Sequence, residues 1–191
     1  IVLGALSAGF VPIFTQLLKD KSNTKADQTA WQLANHILNI ILAIVGGLSV
    51  IGIVIAPFLM KLITPGFTGD KLELVINLSR LMFLSPILLG ISSVWGGVLQ
   101  SYKRFLAYSL SPIFYNLGII VGALYLVPRF GVYGLAWGVI LGSVLHALIQ
   151  LPTLWHLGWR YQLGFGWRQS QVREIFKMTL ARTLTLIINQ A

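Results

Sequence analysis

The stretch VINLSRLMFLSPILLG, residues 75–90, sets an arginine, Arg80, and a proline, Pro86, inside a run that is otherwise apolar. A helix is the expected conformation for a run of this length, and a guanidinium within it needs either a buried partner or a position near water. The rest of the sequence decides which setting applies. The chain has 191 residues, of which 56% are hydrophobic and only 10% charged, whereas a soluble domain carries about 25% charged residues. Apolar segments recur at roughly 1–18, 33–60, 75–100, 106–127, 131–153 and 175–191. Most of these approach the roughly 20 residues that cross a bilayer as a helix. Strands of a transmembrane barrel would instead show segments of about 10 residues with alternating character, and no such alternation occurs. The expected fold is therefore all-α, a polytopic transmembrane helical bundle with about six spans visible, the first and last truncated.

The chain opens at Ile1, inside one apolar segment, and closes inside another at LTLIINQA. It reads as an internal piece of a longer membrane domain, with no soluble domain. IVLGALSAGFVPIFTQLL has no basic leading region, so a signal peptide is not expected. Cysteine is absent, which excludes disulfides and thiolate metal sites.

The net charge of +9 invites a nucleic-acid reading, but its distribution follows topology. If every segment spans, the first, third and fifth connections share one side, and they hold Lys19, Lys21, Lys25, Lys103, Arg104, Arg160, Arg168 and Arg173. The other side holds Lys61, Lys71 and Arg129. Basic residues concentrate on the cytoplasmic side of membrane proteins, so the richer side is expected there and no nucleic acid is needed to explain the charge. The fifth connection interleaves Trp155, Trp159, Tyr161, Phe165 and Trp167 with Arg160 and Arg168. Such amphipathic rings favour the headgroup layer.

Gly134, Gly138 and Gly142 recur four apart in GVYGLAWGVILGS, a spacing that lets a neighbouring backbone approach closely. Pro12, Pro57, Pro86, Pro112 and Pro152 lie within or at the ends of the segments. Each removes a backbone donor and tends to kink its helix. Asn116, one turn after Pro112, can bond the carbonyl freed by that kink or line a cavity.

Chemistry is sparse. Asp20, Asp27, Asp70, Glu73 and Glu174 all lie in connections or at segment ends, and His36, His146 and His156 are scattered without ligand spacing. No Walker-type glycine loop and no HExxH pattern occurs. An enzyme is not expected, nor a metal or other cofactor. On a helix, Glu73, Asn77 and Arg80 share a stripe, because spacings of three and four return to one face. Arg80 there either snorkels to headgroups or faces a water-filled cavity, where a guanidinium suits an anionic group such as phosphate.

In order along the chain, GALSAGFVPIF (4–14), ITPGF (63–67), a basic residue at 80, LQSYKRF (99–105), SPIFYNLGII (111–120), GLAWGVILGSVLHALIQLP (134–152) and ARTLTLIINQA (181–191) form a series of local patterns. Together they resemble the MurJ/MviN family of lipid II flippases, in the multidrug/oligosaccharidyl-lipid/polysaccharide exporter superfamily. The resemblance implies that residues 1–191 run from the end of the second helix to part of the seventh, in one MATE-like lobe of a transporter of about fourteen helices. It implies a multi-pass protein of the bacterial cytoplasmic (inner) membrane that moves lipid II, an undecaprenyl-pyrophosphate-linked precursor, to the outer leaflet by alternating access. Its partners would be lipid II, the bilayer and, possible as well, cell-wall synthesis proteins. By the same resemblance, the family's best known substrate-contacting arginines belong to the first helix, the beginning of the second and the eighth, outside residues 1–191. The substrate-pathway candidates here are Arg80, Asn116, Arg182 and Asn189. By the resemblance, Asn189 stands where some members place a sodium-binding aspartate, and a neutral side chain there weakens the case for sodium coupling. The alternatives are a carrier of another lipid-linked oligosaccharide or of a drug, and a non-transporting membrane scaffold for cell-wall assembly.

Overall fold

The structure is a computed structural model and describes residues 2–19 and 26–190; side chains are not described at 2–6, 8, 26, 186, 187, 189 and 190. Asp20, Lys21 and Lys25 of the first connection therefore lie outside the described residues. Among the described residues every regular element is helical: α1 (Val2–Lys19), α2 (Ala26–Ile63), α3 (Asp70–Met82), α4 (Leu84–Ser101), α5 (Phe105–Val121), a π-helical turn (Gly122–Leu126), α6 (Val127–Phe130), α7 (Tyr133–Leu148), α8 (Leu151–His156) and α9 (Ser170–Gln190).

Among the described residues, four stretches are long and apolar enough to cross a membrane: Asp27–Ile63, Asp70–Ser101, Phe105–Phe130 and Tyr133–His156. They coincide with the four internal segments expected from the sequence. α1 and α9 are helical at the expected positions but are not among these four.

Three of the four stretches are broken, and prolines account for the breaks. Pro86 cannot donate to the Met82 carbonyl four residues earlier, and α3 ends at Met82, with the Phe83 amide donating to Ser79 at 3.1 Å before α4 begins. Pro152 leaves the Leu148 carbonyl without its helical donor in the same way, and α7 ends there. Pro128, not singled out from the sequence, follows the π-helical turn, which closes with the Val127 amide bonded to the Gly122 carbonyl five residues back. By contrast, Pro12, Pro57 and Pro112 lie within uninterrupted helices.

The chain forms two compact units. One comprises residues 1–41, 90–109 and 150–191. Its core is Phe10, Phe14, Leu33, Ile37, Ile40, Leu99, Leu154 and Ile175, all buried. α1 packs on α9 so closely that a Cβ on Gly9 would stand 3.0 Å from the Ile175 carbonyl oxygen. Phe10 and Phe14 stack at 5.1 Å, Trp31 and Tyr102 stack at 5.6 Å, and Phe14 meets both edge-on at 6.1 Å. These rings tie the α4–α5 turn to α1 and α2.

The other unit comprises residues 42–89 and 110–149. The glycines on α7 serve packing within it. A Cβ on Gly142 would meet the Tyr115 carbonyl oxygen at 2.4 Å, and one on Gly122 would meet the Gly138 Cα at 2.3 Å. Only glycine permits backbones to approach this far. The buried hydroxyls of Ser85 and Ser143 bond to each other across the same unit. Leu48, Phe58 and Leu62 on α2 are 61%, 71% and 69% exposed. Side chains of this kind are turned outward when the surrounding solvent is lipid or another helix rather than water.

Candidate functional site

Arg80 lies in the last turn of α3, and its side chain is exposed. Its Nε donates to the Ile53 carbonyl on α2 at 3.2 Å. Ile53 precedes Pro57 by four residues, so this is the carbonyl to which Pro57 cannot donate. The arginine supplies the missing hydrogen. Its terminal Nη groups are not used in that bond. On the same stripe of α3, Glu73 is exposed and Asn77 half-buried.

Asn116 is exposed on α5, and its Nδ2 donates to the Pro112 carbonyl at 2.9 Å. The carbonyl freed by Pro112 is that of Tyr108, four residues earlier. Of the two roles open to Asn116 from the sequence, the bond to the carbonyl freed by the kink is not made; the amide makes a local bond instead, because an asparagine side chain returns readily to the carbonyl one turn before it. Arg182 is exposed on α9. Asn189 lies on the same helix, with its side chain outside the described residues. Arg80 and Asn116 belong to one compact unit, Arg182 and Asn189 to the other.

Another polar cluster joins α2 to the α8–α9 connection. α2 presents Asn35, His36 and Asn39 to the irregular segment 157–169, which returns along it. Asn35 and Asn39 are only 1% and 4% exposed. The Asn35 Nδ2 donates to the Arg160 carbonyl at 2.9 Å and its Oδ1 accepts from Trp159 Nε1 at 3.2 Å. The Asn39 Nδ2 donates to the Gln162 and Gly164 carbonyls at 2.9 and 2.8 Å, and its Oδ1 accepts from the Tyr161 hydroxyl at 2.8 Å. The His36 Nδ1 lies 3.1 Å from Gln169 Oε1. A segment without regular structure must find partners for its peptide groups when it packs on a buried helix face, and these two amides provide them. α2 is 38 residues long, about 57 Å at the helical rise, against a hydrocarbon thickness of about 30 Å. Its first turns can thus stand beyond the apolar layer. The aromatics read from the sequence as interfacial divide accordingly: Trp155 is exposed, Trp159 meets Trp95 edge-on at 5.4 Å, and Trp167 stacks between Phe165 and Phe176 at 6.4 and 6.1 Å.

Sequence reasoning treated Asn35 and Asn39 as part of an apolar segment. The available signal was their i, i+4 spacing in ANHILN, which places both amides on one face.

Near the α4–α5 turn, burial in the aromatic cluster, with the Asp27 carboxylate second, pushes the Tyr102 hydroxyl up to about 12. Among the described residues no group of three or more His, Asp or Glu is placed to hold a metal ion.

Helices long enough to span a bilayer, broken at prolines, with apolar side chains outward and polar groups returned to backbone carbonyls, define a polytopic helical membrane protein. Within that class the family is shown by similarity. The chain belongs to the family described as Lipid II flippase MurJ, whose sequence model matches residues 1–191. It is 32% identical to the lipid II flippase MurJ of Burkholderia cenocepacia over 79% of this chain and 29% of that one. The probable lipid II flippases MurJ of Buchnera aphidicola subsp. Acyrthosiphon pisum and of Treponema pallidum are 28% and 27% identical. Those matches cover 97% and 96% of this chain, and 38% and 34% of the relatives. The chain thus spans about a third of the length of the curated relatives it matches.

Proposed function

We propose that this chain is part of a flippase that carries lipid II from the cytoplasmic to the outer leaflet of the bacterial inner membrane by alternating access. The observation that carries the proposal is the family match along all 191 residues, together with relatives bearing that name. The physical task is severe, because each polar group buried in hydrocarbon without a partner costs several kcal/mol. A saccharide, a peptide and a pyrophosphate need a polar route. Arg80, Asn116, Arg182 and Asn189 are the residues of this chain proposed for that route, with the Arg80 Nη groups and the Arg182 guanidinium as anion-binding donors. The charge distribution supports a cytoplasmic location for the α1–α2, α4–α5 and α8–α9 connections.

The test is depletion of the full-length protein in a bacterium that has no other lipid II carrier. Lipid II reaching the outer leaflet is measured by its cleavage with an externally added lipid II hydrolase. The expected result is accumulation of uncleaved lipid II. Cleavage at the normal rate overturns the proposal. If another lipid-linked oligosaccharide is stranded inside instead, the carrier has a different cargo. If flipping continues while cell-wall enzymes lose their position, the protein is a scaffold.

A further inference from the structure

A cavity of about 620 Å³ opens beside the α4–α5 turn, walled by Lys103, Arg104, Phe105 and Leu106 on one side and by Pro152 and His156 on the other. This volume is within the range of small-molecule sites. Among the described residues no acidic side chain lines it. Three spans end at it: Asp70–Ser101 stops just before it, Phe105–Phe130 begins at it and Tyr133–His156 ends at it. Its depth is therefore that of the headgroup layer. Its walls have two characters, cationic at Lys103 and Arg104 and apolar at Phe105 and Leu106, the latter 77% exposed.

The turn that holds the cations is strained in an informative way. Lys103 has φ 58°, and among the described residues it is the only non-glycine with positive φ. The Arg104 amide donates to the Leu99 carbonyl at 2.8 Å and the Lys103 amide to the Gln100 carbonyl at 3.0 Å. This is the paired closure of a helix end in which the left-handed position is usually glycine. Glycine would adopt it without the steric cost a lysine bears, yet it would contribute no charge. The turn is also rigid, since the adjacent Tyr102 is stacked on Trp31 and met edge-on by Phe14.

We infer that this cavity binds the phosphate of an anionic glycerophospholipid headgroup, with Lys103 and Arg104 on the phosphate and Phe105 and Leu106 against the first acyl carbons. Basic pockets between spans on the cytoplasmic side recognise such headgroups, and the charge distribution places this turn on that side. The inference does not depend on which cargo the protein carries.

The test uses the full-length protein in a zwitterionic detergent-free nanodisc series of dioleoyl phosphatidylcholine with increasing dioleoyl phosphatidylglycerol, and native mass spectrometry of the lipid retained on release. Phosphatidylglycerol should be enriched on the protein over phosphatidylcholine. The variant Lys103→Gly with Arg104→Gln should bind it about thirtyfold more weakly, at roughly five- to sixfold per cation removed. Lys103→Gly alone should keep or raise the unfolding temperature, which separates a lost site from a lost fold. Equal enrichment of the two lipids, or unchanged retention in the double variant, overturns the inference. Displacement of bound phosphatidylglycerol by millimolar inorganic pyrophosphate would also overturn it, showing a site for free anions or for a pyrophosphate group instead.

Discussion

The Nε of Arg80 donates at 3.2 Å to the carbonyl of Ile53, which Pro57 leaves without its helical donor. An arginine on α3 thus repairs a defect that a proline creates on α2. In a membrane, where no bulk water reaches such a carbonyl, tolerance of proline depends on a substitute donor of this kind. Arg80→Ala should destabilise the protein by about 1 kcal/mol, the usual net worth of one such bond. In a Pro57→Ala background, where residue 57 again donates to Ile53, the same substitution should cost close to nothing. The measurement is a double-mutant cycle by thermal unfolding in detergent, and equal losses in both backgrounds would show that the bond to Ile53 contributes nothing. Transport assays of the same variants separate this role from anion binding. Arg80→Ala, Pro57→Ala should restore stability, and it restores transport only if the Nη groups contact no cargo.

Asn39 makes three side-chain bonds to the segment 157–169. Asn39→Leu removes all three and leaves two carbonyls and a phenol to find other partners, so a loss of about 3 kcal/mol is expected. Tyr161→Phe deletes one bond and should cost about 1 kcal/mol. Hydrogen exchange gives the more specific signature: protection should fall in residues 157–169 in Asn39→Leu while the amides of α7 keep theirs. Uniform protection across that segment in the variant would show that other contacts hold it.

The helices were legible in the sequence because composition and span length act locally, and the breaks after Met82 and Leu148 were signalled by Pro86 and Pro152. The π-helical turn before Pro128 was less so, since proline says that a bond is lost but not how the chain absorbs the loss. Long-range partners were not legible at all. Arg80 could be assigned to headgroups or to a cavity from its position, but its carbonyl partner lies 27 residues away on another helix. Asn35 and Asn39 bond to groups more than 120 residues further on. A side chain's spacing tells which face it occupies, and only the tertiary fold tells which backbone meets that face.

The glycines make a prediction with an internal control. Gly142→Ala would drive a Cβ to 2.4 Å from the Tyr115 carbonyl oxygen, and Gly122→Ala would drive one to 2.3 Å from the Gly138 Cα. Backbone cannot yield as a flexible side chain can, so each should cost at least the roughly 1–3 kcal/mol of an overpacked core. Gly46 and Gly47 on α2 have nothing within 4 Å of an added Cβ. Gly46→Ala and Gly47→Ala should be neutral or stabilising by up to about 1 kcal/mol through helix propensity. Folded yield and unfolding temperature of the four variants check this, and similar behaviour in all four would mean that the contacts of α7 with α5 and the π-helical turn are looser than described.

Tyr102 gives a pH prediction whose sign follows from its surroundings. Burial in the aromatic cluster disfavours the phenolate, and the nearby Asp27 carboxylate adds to that, so the hydroxyl is raised from 10.0 to about 12. A group whose folded value lies above its unfolded one stabilises the fold fully while both states keep the proton, here below pH 10. Between pH 10 and about 12 the unfolded chain loses its proton first, and the contribution drains away as pH rises through that window. The phenolate absorbance near 295 nm, compared with Tyr102→Phe, should place this tyrosine late in the titration. The unfolding temperature of the parent should also fall more steeply than that of Tyr102→Phe between pH 10 and 12. Ionisation of Tyr102 near pH 10 would mean that the stack with Trp31 and the contact with Phe14 open to water, and the rigid turn carrying Lys103 and Arg104 would lose its support.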